Sequence, residues 1–75
     1  MRKTLHKRVS EAFDTIYKRG DDGLEYMDRH VALDADLMQH FYDDTIEQLT
    51  NKELTTLAEQ LETVVADMEF DLEAF

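Results

Sequence analysis

The sequence predicts an all-α protein, a small three- or four-helix bundle in which residues 1–75 form a single domain and the C-terminal helix is long. Proline is absent and glycine occurs only twice in 75 residues, which favours uninterrupted helices. Apolar residues recur at three- and four-residue spacing, and no segment alternates as a strand would. An apolar content of 43% is typical of a folded chain rather than a disordered one.

The first helix is predicted at about residues 3–19, where apolar residues mark one face. These residues are Leu5, Val9, Ala12, Phe13, Ile16 and Tyr17. Lys18 and Arg19 suit the negative end of the helix dipole, and Gly20 is a natural stop. Residues 20–23, with the sequence Gly-Asp-Asp-Gly, are therefore interpreted as a flexible loop.

The second and third helices are predicted at about residues 22–32 and 35–49. Their apolar stripes are Leu24, Met27 and Val31 in the second helix, and Leu37, Met38, Phe41, Tyr42, Ile46 and Leu49 in the third. Asp34 has the position of an N-cap. Leu33 and Met38 around it have the spacing of a hydrophobic staple.

The fourth helix is predicted at about residues 51–72 and begins with a capping box, in which Thr50 caps and Glu53 reaches back. The alternative is that the third and fourth helices fuse into one kinked rod. Because a domain this short is marginally stable and the chain has no cysteine, self-association is a second hypothesis. The candidate dimer face is the apolar stripe of the fourth helix: Leu54, Leu57, Leu61, Val64, Val65 and Met68.

The net charge of −10 is unevenly distributed. Residues 1–33 carry seven basic and six acidic residues, whereas residues 34–75 carry twelve acidic residues and Lys52 as the one base. Such asymmetry indicates the kind of partner rather than the fold. The candidate partner-binding acidic face is Asp36, Asp43, Asp44, Glu47, Glu59, Glu62, Asp67, Glu69, Asp71 and Glu73. Phe70 and Phe75 are candidate aromatic anchors, unless the tail only completes the core.

The basic N-terminal segment has two interpretations. Its residues are Arg2, Lys3, Lys7 and Arg8. Direct binding of nucleic acid by the whole chain is disfavoured, because its net negative charge repels phosphate. We favour pairing of these bases with the acidic fourth helix, within the chain or across a dimer.

The sequence predicts no catalytic site, metal or cofactor. His40 lies four residues from both Asp36 and Asp44, and a continuous helix would stack the three side chains on one face. A solvated face explains this spacing better than a metal site does. The chain has no cysteine, and Ser10, its single serine, has no neighbouring base. No glycine-rich phosphate loop is present.

These features favour a small non-enzymatic protein that inhibits or regulates a nucleic-acid-handling protein by occupying its basic surface. A rigid row of carboxylates would act there as a nucleic-acid mimic. The profile is similar in kind, without a shared motif, to virus-encoded inhibitors of bacterial defence systems. The alternative is a homodimeric structural or adaptor protein whose acidic face only maintains solubility. No apolar run has the length of a signal peptide or a membrane span, so we expect a cytoplasmic protein that does not bind membranes.

Overall fold

The computed structural model of the chain describes residues 1–31 and 33–73, with side chains up to Asp71. Within these residues the protein is all-helical, which confirms the predicted fold class. Four α-helices and one short 3₁₀ helix follow one another along the chain. They are α1 (Arg2–Tyr17), α2 (Asp21–Arg29), α3 (Ala35–Tyr42), the 3₁₀ helix (Ile46–Gln48) and α4 (Asn51–Glu73).

Helices α1 and α4 lie side by side and run in the same direction. Arg2, at the start of α1, contacts Asn51 at the start of α4, and Arg8 contacts Glu62 further along. Helix α4 has 23 residues, which at about 1.5 Å per residue corresponds to a rod of about 35 Å. The molecule measures 38 × 20 × 19 Å, so α4 spans nearly its whole length.

Helices α2 and α3 together form the third side of the bundle and run against α4. His30 contacts Asp67, whereas the backbone N–H of Asp34, further along the chain, donates to Gln60 at an earlier position of α4. The molecule is therefore an up-down-up bundle whose middle helix is broken between α2 and α3. The predicted cap of α3 is confirmed, because the Asp34 carboxylate accepts hydrogen bonds from the two backbone N–H groups at 36 and 37.

The core lies between α4 and the three shorter helices. The fully buried side chains of α4 recur every three or four residues, as expected for one face of an amphipathic helix. They are Leu54, Leu57, Ala58, Leu61, Val64 and Met68, each with 0% exposure in a single chain. The candidate dimer face is therefore occupied by the chain's own core, and of its six residues Val65 alone remains half-buried.

The predicted third helix is wrong at its C-terminal end, because α3 ends at Tyr42 rather than near Leu49. The backbone N–H of Asp44 donates to the carbonyl of Phe41, and the N–H of Thr45 donates to that of His40. With Asp44 at a φ of 57°, these two bonds form a Schellman C-cap. This cap normally contains glycine, so the end of α3 carries no typical stop signal; aspartate tolerates this conformation better than most residues.

The segment between α3 and α4 excludes the alternative of one fused rod. It contains a single turn of 3₁₀ helix and ends in extended backbone at Leu49, which is buried. The capping box that starts α4 is confirmed. The N–H of Glu53 donates to the Thr50 hydroxyl at 3.1 Å, and the N–H of Thr50 donates to the Glu53 carboxylate at 3.0 Å.

Candidate functional site

The acidic surface is the strongest candidate for a functional site. Every residue of the candidate acidic face from Asp36 to Asp71 is exposed, whereas the side chain of Glu73 lies outside the described residues. These carboxylates fall into two groups. Members of the first group hold α1 and α2 against α4, and members of the second form no ion pair with the described residues.

Glu62 belongs to the first group, because it pairs with Arg8 of α1. The guanidinium donates through Nε and Nη2 to the two carboxylate oxygens at 3.0 and 2.5 Å. The hydrogen bond from Arg8 lowers the pKa of the Glu62 carboxyl. Such a two-point contact fixes geometry better than a single ion pair does. The expected pairing of the basic segment with the fourth helix is confirmed for this residue.

Arg2 holds the chain where it enters α4. Its guanidinium donates to the Asn51 side chain at 2.7 Å and to the backbone carbonyls of Glu47 and Leu49 at 3.1 and 2.9 Å. It therefore satisfies carbonyl groups that the end of the 3₁₀ helix leaves open. Lys7 lies 3.8 Å from Glu11 within α1, in an exposed pair. Of the basic N-terminal residues, Arg2, Lys7 and Arg8 thus make contacts within the chain.

Asp67 and Asp71 join α4 to α2. His30 Nε2 lies 2.9 Å from an Asp67 oxygen, and the Tyr26 hydroxyl donates to Asp71 at 2.6 Å. The second ring nitrogen of His30, Nδ1, is buried without a hydrogen-bond partner in the described part of the chain. These two carboxylates consequently have structural partners and are less available to another molecule.

The Tyr26–Asp71 contact predicts a measurable change in the titration of a tyrosine hydroxyl. The hydrogen bond to Asp71, with burial adding to it, raises the pKa of Tyr26 from 10.0 to about 12. Because the folded pKa is the higher one, the stabilisation is fully present below pH 10 and is lost as pH rises towards 12. We expect one tyrosine to ionise near pH 12 in an ultraviolet absorbance titration, and to ionise closer to pH 10 in Asp71→Asn. Asp14→Asn, which alters an exposed acid of α1, should leave the curve unchanged; an unaltered curve in Asp71→Asn would contradict the assignment.

The second group of carboxylates has no ion pair or side-chain hydrogen bond with the described residues. Its members are Asp36, Asp44, Glu47, Glu59 and Glu69, of which Glu59 lies close enough to Arg8 to add, after Glu62, to the raised pKa of that guanidinium. Asp43 also lacks a cation, and accepts a hydrogen bond from the Gln39 amide at 3.0 Å. Within residues 34–71, Lys52 is the one lysine or arginine, so this surface carries charge that the chain does not neutralise.

The carboxylates without cations occupy two levels of the bundle. Because α3 runs against α4, the acids of α3 and the following turn lie beside the first half of α4. There, hydrogen bonds from Thr50 lower the pKa of Glu53, and nearby His40 adds a smaller effect in the same direction. Glu69 lies near the other end, about 24 Å further along at about 1.5 Å per residue. The acidic surface is thus divided between an α3 end and a C-terminal end.

Of the aromatic anchors, Phe70 is 77% exposed on α4 between Glu69 and Asp71, so it takes no part in the core. Phe75 lies outside the described residues. Phe70 therefore remains available for contact with another molecule, with carboxylates on either side of it in the sequence.

The expected stacking of Asp36, His40 and Asp44 on one helical face does not occur, because α3 ends before Asp44. His40 Nδ1 instead lies 2.9 Å from the Thr45 hydroxyl. No group of three or more histidine, aspartate and glutamate side chains within the described residues has an arrangement suited to a metal ion.

No family model, curated protein or solved structure matches this chain significantly. None of the helices in the described residues is both long and apolar enough to span a membrane.

Proposed function

We propose that this chain is a non-enzymatic binding protein that inhibits or regulates a nucleic-acid-handling protein by covering its basic surface. The observation that carries the proposal is the set of carboxylates at the α3 end, Asp36, Asp44 and Glu47, which are exposed and have no cation among the described residues. The two arginines of the basic N-terminal segment, Arg2 and Arg8, make their described contacts with other groups of the chain.

The electrostatic balance supports an external partner. Repulsion among unneutralised carboxylates opposes folding of a small domain, and a basic partner would relieve it. Exposed carboxylates that form no ion pair within the described residues suit a surface built for the closely spaced negative charges of a nucleic acid backbone. An attractive field of this kind also accelerates encounter between oppositely charged proteins.

Phe70 supplies the apolar part of the proposed interaction. Aromatic side chains are enriched among the residues that dominate binding energy, whereas exposed ion pairs individually contribute little. The C-terminal end of the bundle would therefore add affinity, and the α3 end would add specificity for a basic surface. A cytoplasmic site of action and the likeness in kind to virus-encoded inhibitors are parts of this proposal.

The homodimer is the weaker proposal. Its candidate face is buried in the core of one chain, and Val31, the most exposed large apolar residue among those described at 99%, lies elsewhere. We therefore place the function in the acidic surface rather than in self-association.

The proposal is tested with three neutral substitutions, Asp36→Asn, Asp44→Asn and Glu47→Gln, made together. Asparagine suits the positive φ at position 44, so the Schellman cap is retained. Proteins that have bound to a double-stranded DNA resin are eluted from it and then passed over the immobilised chain. We expect the wild type to capture a protein that is released by added duplex DNA and by raised salt. The variant should bind this protein about tenfold more weakly, since three exposed pairs of about 0.5 kcal/mol each are lost.

The matched control removes the same amount of charge from α1 and α2, with Glu11→Gln, Asp14→Asn and Glu25→Gln. We expect this control to capture the partner as the wild type does. Equal weakening by both triple variants would show that net charge rather than the α3 end is responsible. Undiminished capture by the α3 variant, or capture that duplex DNA does not reverse, would refute the proposed function.

A further inference from the structure

A cleft lies between α2 and α3, and His30, which pairs with Asp67, forms part of its wall. Its volume is about 220 Å³, below the roughly 300–1,000 Å³ of clefts that bury small molecules. A cleft of this size suits a single side chain. Met27, Leu33 and Met38 form its apolar part, and Met27 and Met38 are almost fully buried.

The polar part of the cleft consists of Asp28, Gln39, Tyr42 and His30, whose Nε2 lies against Asp67. Gln39 donates its amide N–H to Asp43, which leaves its Oε1 as an acceptor. Asp28 is exposed, and it lies close enough to Tyr42 to contribute, after burial, to the raised pKa of that hydroxyl. Tyr42 itself is 54% exposed. No lysine or arginine of the described residues lines the cleft.

We propose that this cleft receives one arginine side chain of the basic partner. The aliphatic stem would lie on Met27 and Met38, and the guanidinium would donate to Asp28 and Gln39 Oε1 beside the Tyr42 ring. The inference rests on the proposed function, since it names the residue by which the basic surface is anchored.

Three properties favour arginine over lysine. Its five N–H donors, against three in lysine, are held in a fixed fork, which suits hydrogen bonding to more than one acceptor at once. Its planar group stacks on an aromatic ring and is less strongly hydrated than an ammonium. Gln39 also lines the adjoining hollow, which contains Asp36 and Asp43, so further cations of the same partner would meet carboxylates beside the cleft.

The test uses N-acetyl-arginine amide as the probe, added to the ¹⁵N-labelled full chain and followed by NMR. We expect saturable shifts centred on Asp28, Gln39 and Tyr42. The lysine analogue should bind more weakly, and the citrulline analogue, which keeps the shape without the charge, should cause no saturable shift. Shifts spread evenly over all carboxylates, or equal binding of the lysine or citrulline analogue, would overturn the arginine assignment.

Variants identify the contacts. Asp28→Asn should weaken arginine binding about fivefold, the upper range for an exposed ion pair. Tyr42→Phe should retain binding and Tyr42→Leu should lose it, because the ring rather than the hydroxyl is required. Asp14→Asn is the matched control for charge and should have no effect. Circular dichroism confirms folding of each variant, and unchanged arginine binding in folded Asp28→Asn or Tyr42→Leu would refute the inference.

The two proposals fail in different ways. If the arginine analogue binds nowhere in the cleft while the α3 variant still loses its DNA-competed partner, the anchor is wrong and the proposed function stands. If no partner is displaced by duplex DNA while arginine still fills the cleft, the proposed function is wrong and the cleft binds some other basic ligand.

Discussion

Gly23→Ala is expected to destabilise the fold by about 3 kcal/mol, at the upper end of the range for overpacking. A Cβ atom at this position would lie 2.2 Å from the backbone oxygen of Ile16 and 2.7 Å from Cβ of Arg19. A backbone carbonyl cannot rotate away, so α1 and α2 would have to separate and expose Ile16 and Met27, which are buried. This penalty exceeds the gain of about 1 kcal/mol that alanine brings to a helix.

Gly20→Ala provides the matched control for this substitution. Gly20 has a φ of 69° and a ψ of −146°, a conformation almost restricted to glycine, and nothing lies within 4 Å of a Cβ built there, so only backbone strain of about 1–3 kcal/mol is expected. Urea unfolding monitored by circular dichroism gives both free energies of unfolding. Greater destabilisation by Gly20→Ala than by Gly23→Ala would contradict the close approach of α1 and α2.

Leu61→Ala is expected to lower the free energy of unfolding by about 2–5 kcal/mol. Leu61 is fully buried on α4, so the substitution removes apolar contacts and leaves a cavity. A chain of this length has about 4–11 kcal/mol of stability in total, so the variant should be near the limit of folding at 37 °C. The unfolding midpoint of the wild type should not depend on protein concentration, since the contact lies within one chain.

Val31→Ala is the control at an exposed site, where truncation of an apolar side chain should change stability by no more than about 0.5 kcal/mol. If Leu61→Ala were tolerated as well as Val31→Ala, the stripe of α4 would not be the core. A midpoint that rises with protein concentration would restore the homodimer as the explanation of that stripe.

Local sequence signals predicted the helical class, the start of α3 and the start of α4. These features depend on residues within one or two turns of each other, such as Thr50 and Glu53 in the capping box. The same local reasoning failed where a signal was atypical. The end of α3 uses an aspartate, Asp44, in a cap that usually contains glycine, and Gly23, assigned to a loop, lies in the first turn of α2.

The candidate functional site shows the same difference between features set by near neighbours and features set by distant parts of the chain. The sequence located the carboxylates, because charge can be counted along the chain. It did not distinguish Glu62, Asp67 and Asp71, which hold other helices, from the carboxylates without a cation. The cleft between α2 and α3 was missed altogether. No spacing signal connects Asp28 to Tyr42, since the break between the two helices sets their separation.

Periodicity and charge counts along the chain are enough to establish that it is helical, that each helix has one apolar face, and that the negative charge is concentrated after residue 33. The folded structure was needed to assign the apolar stripe of α4 to the chain's own core and to separate the paired carboxylates from the unpaired ones. Helical periodicity and capping arise between near neighbours, whereas burial and ion pairing depend on segments that are far apart in the chain and meet only after folding.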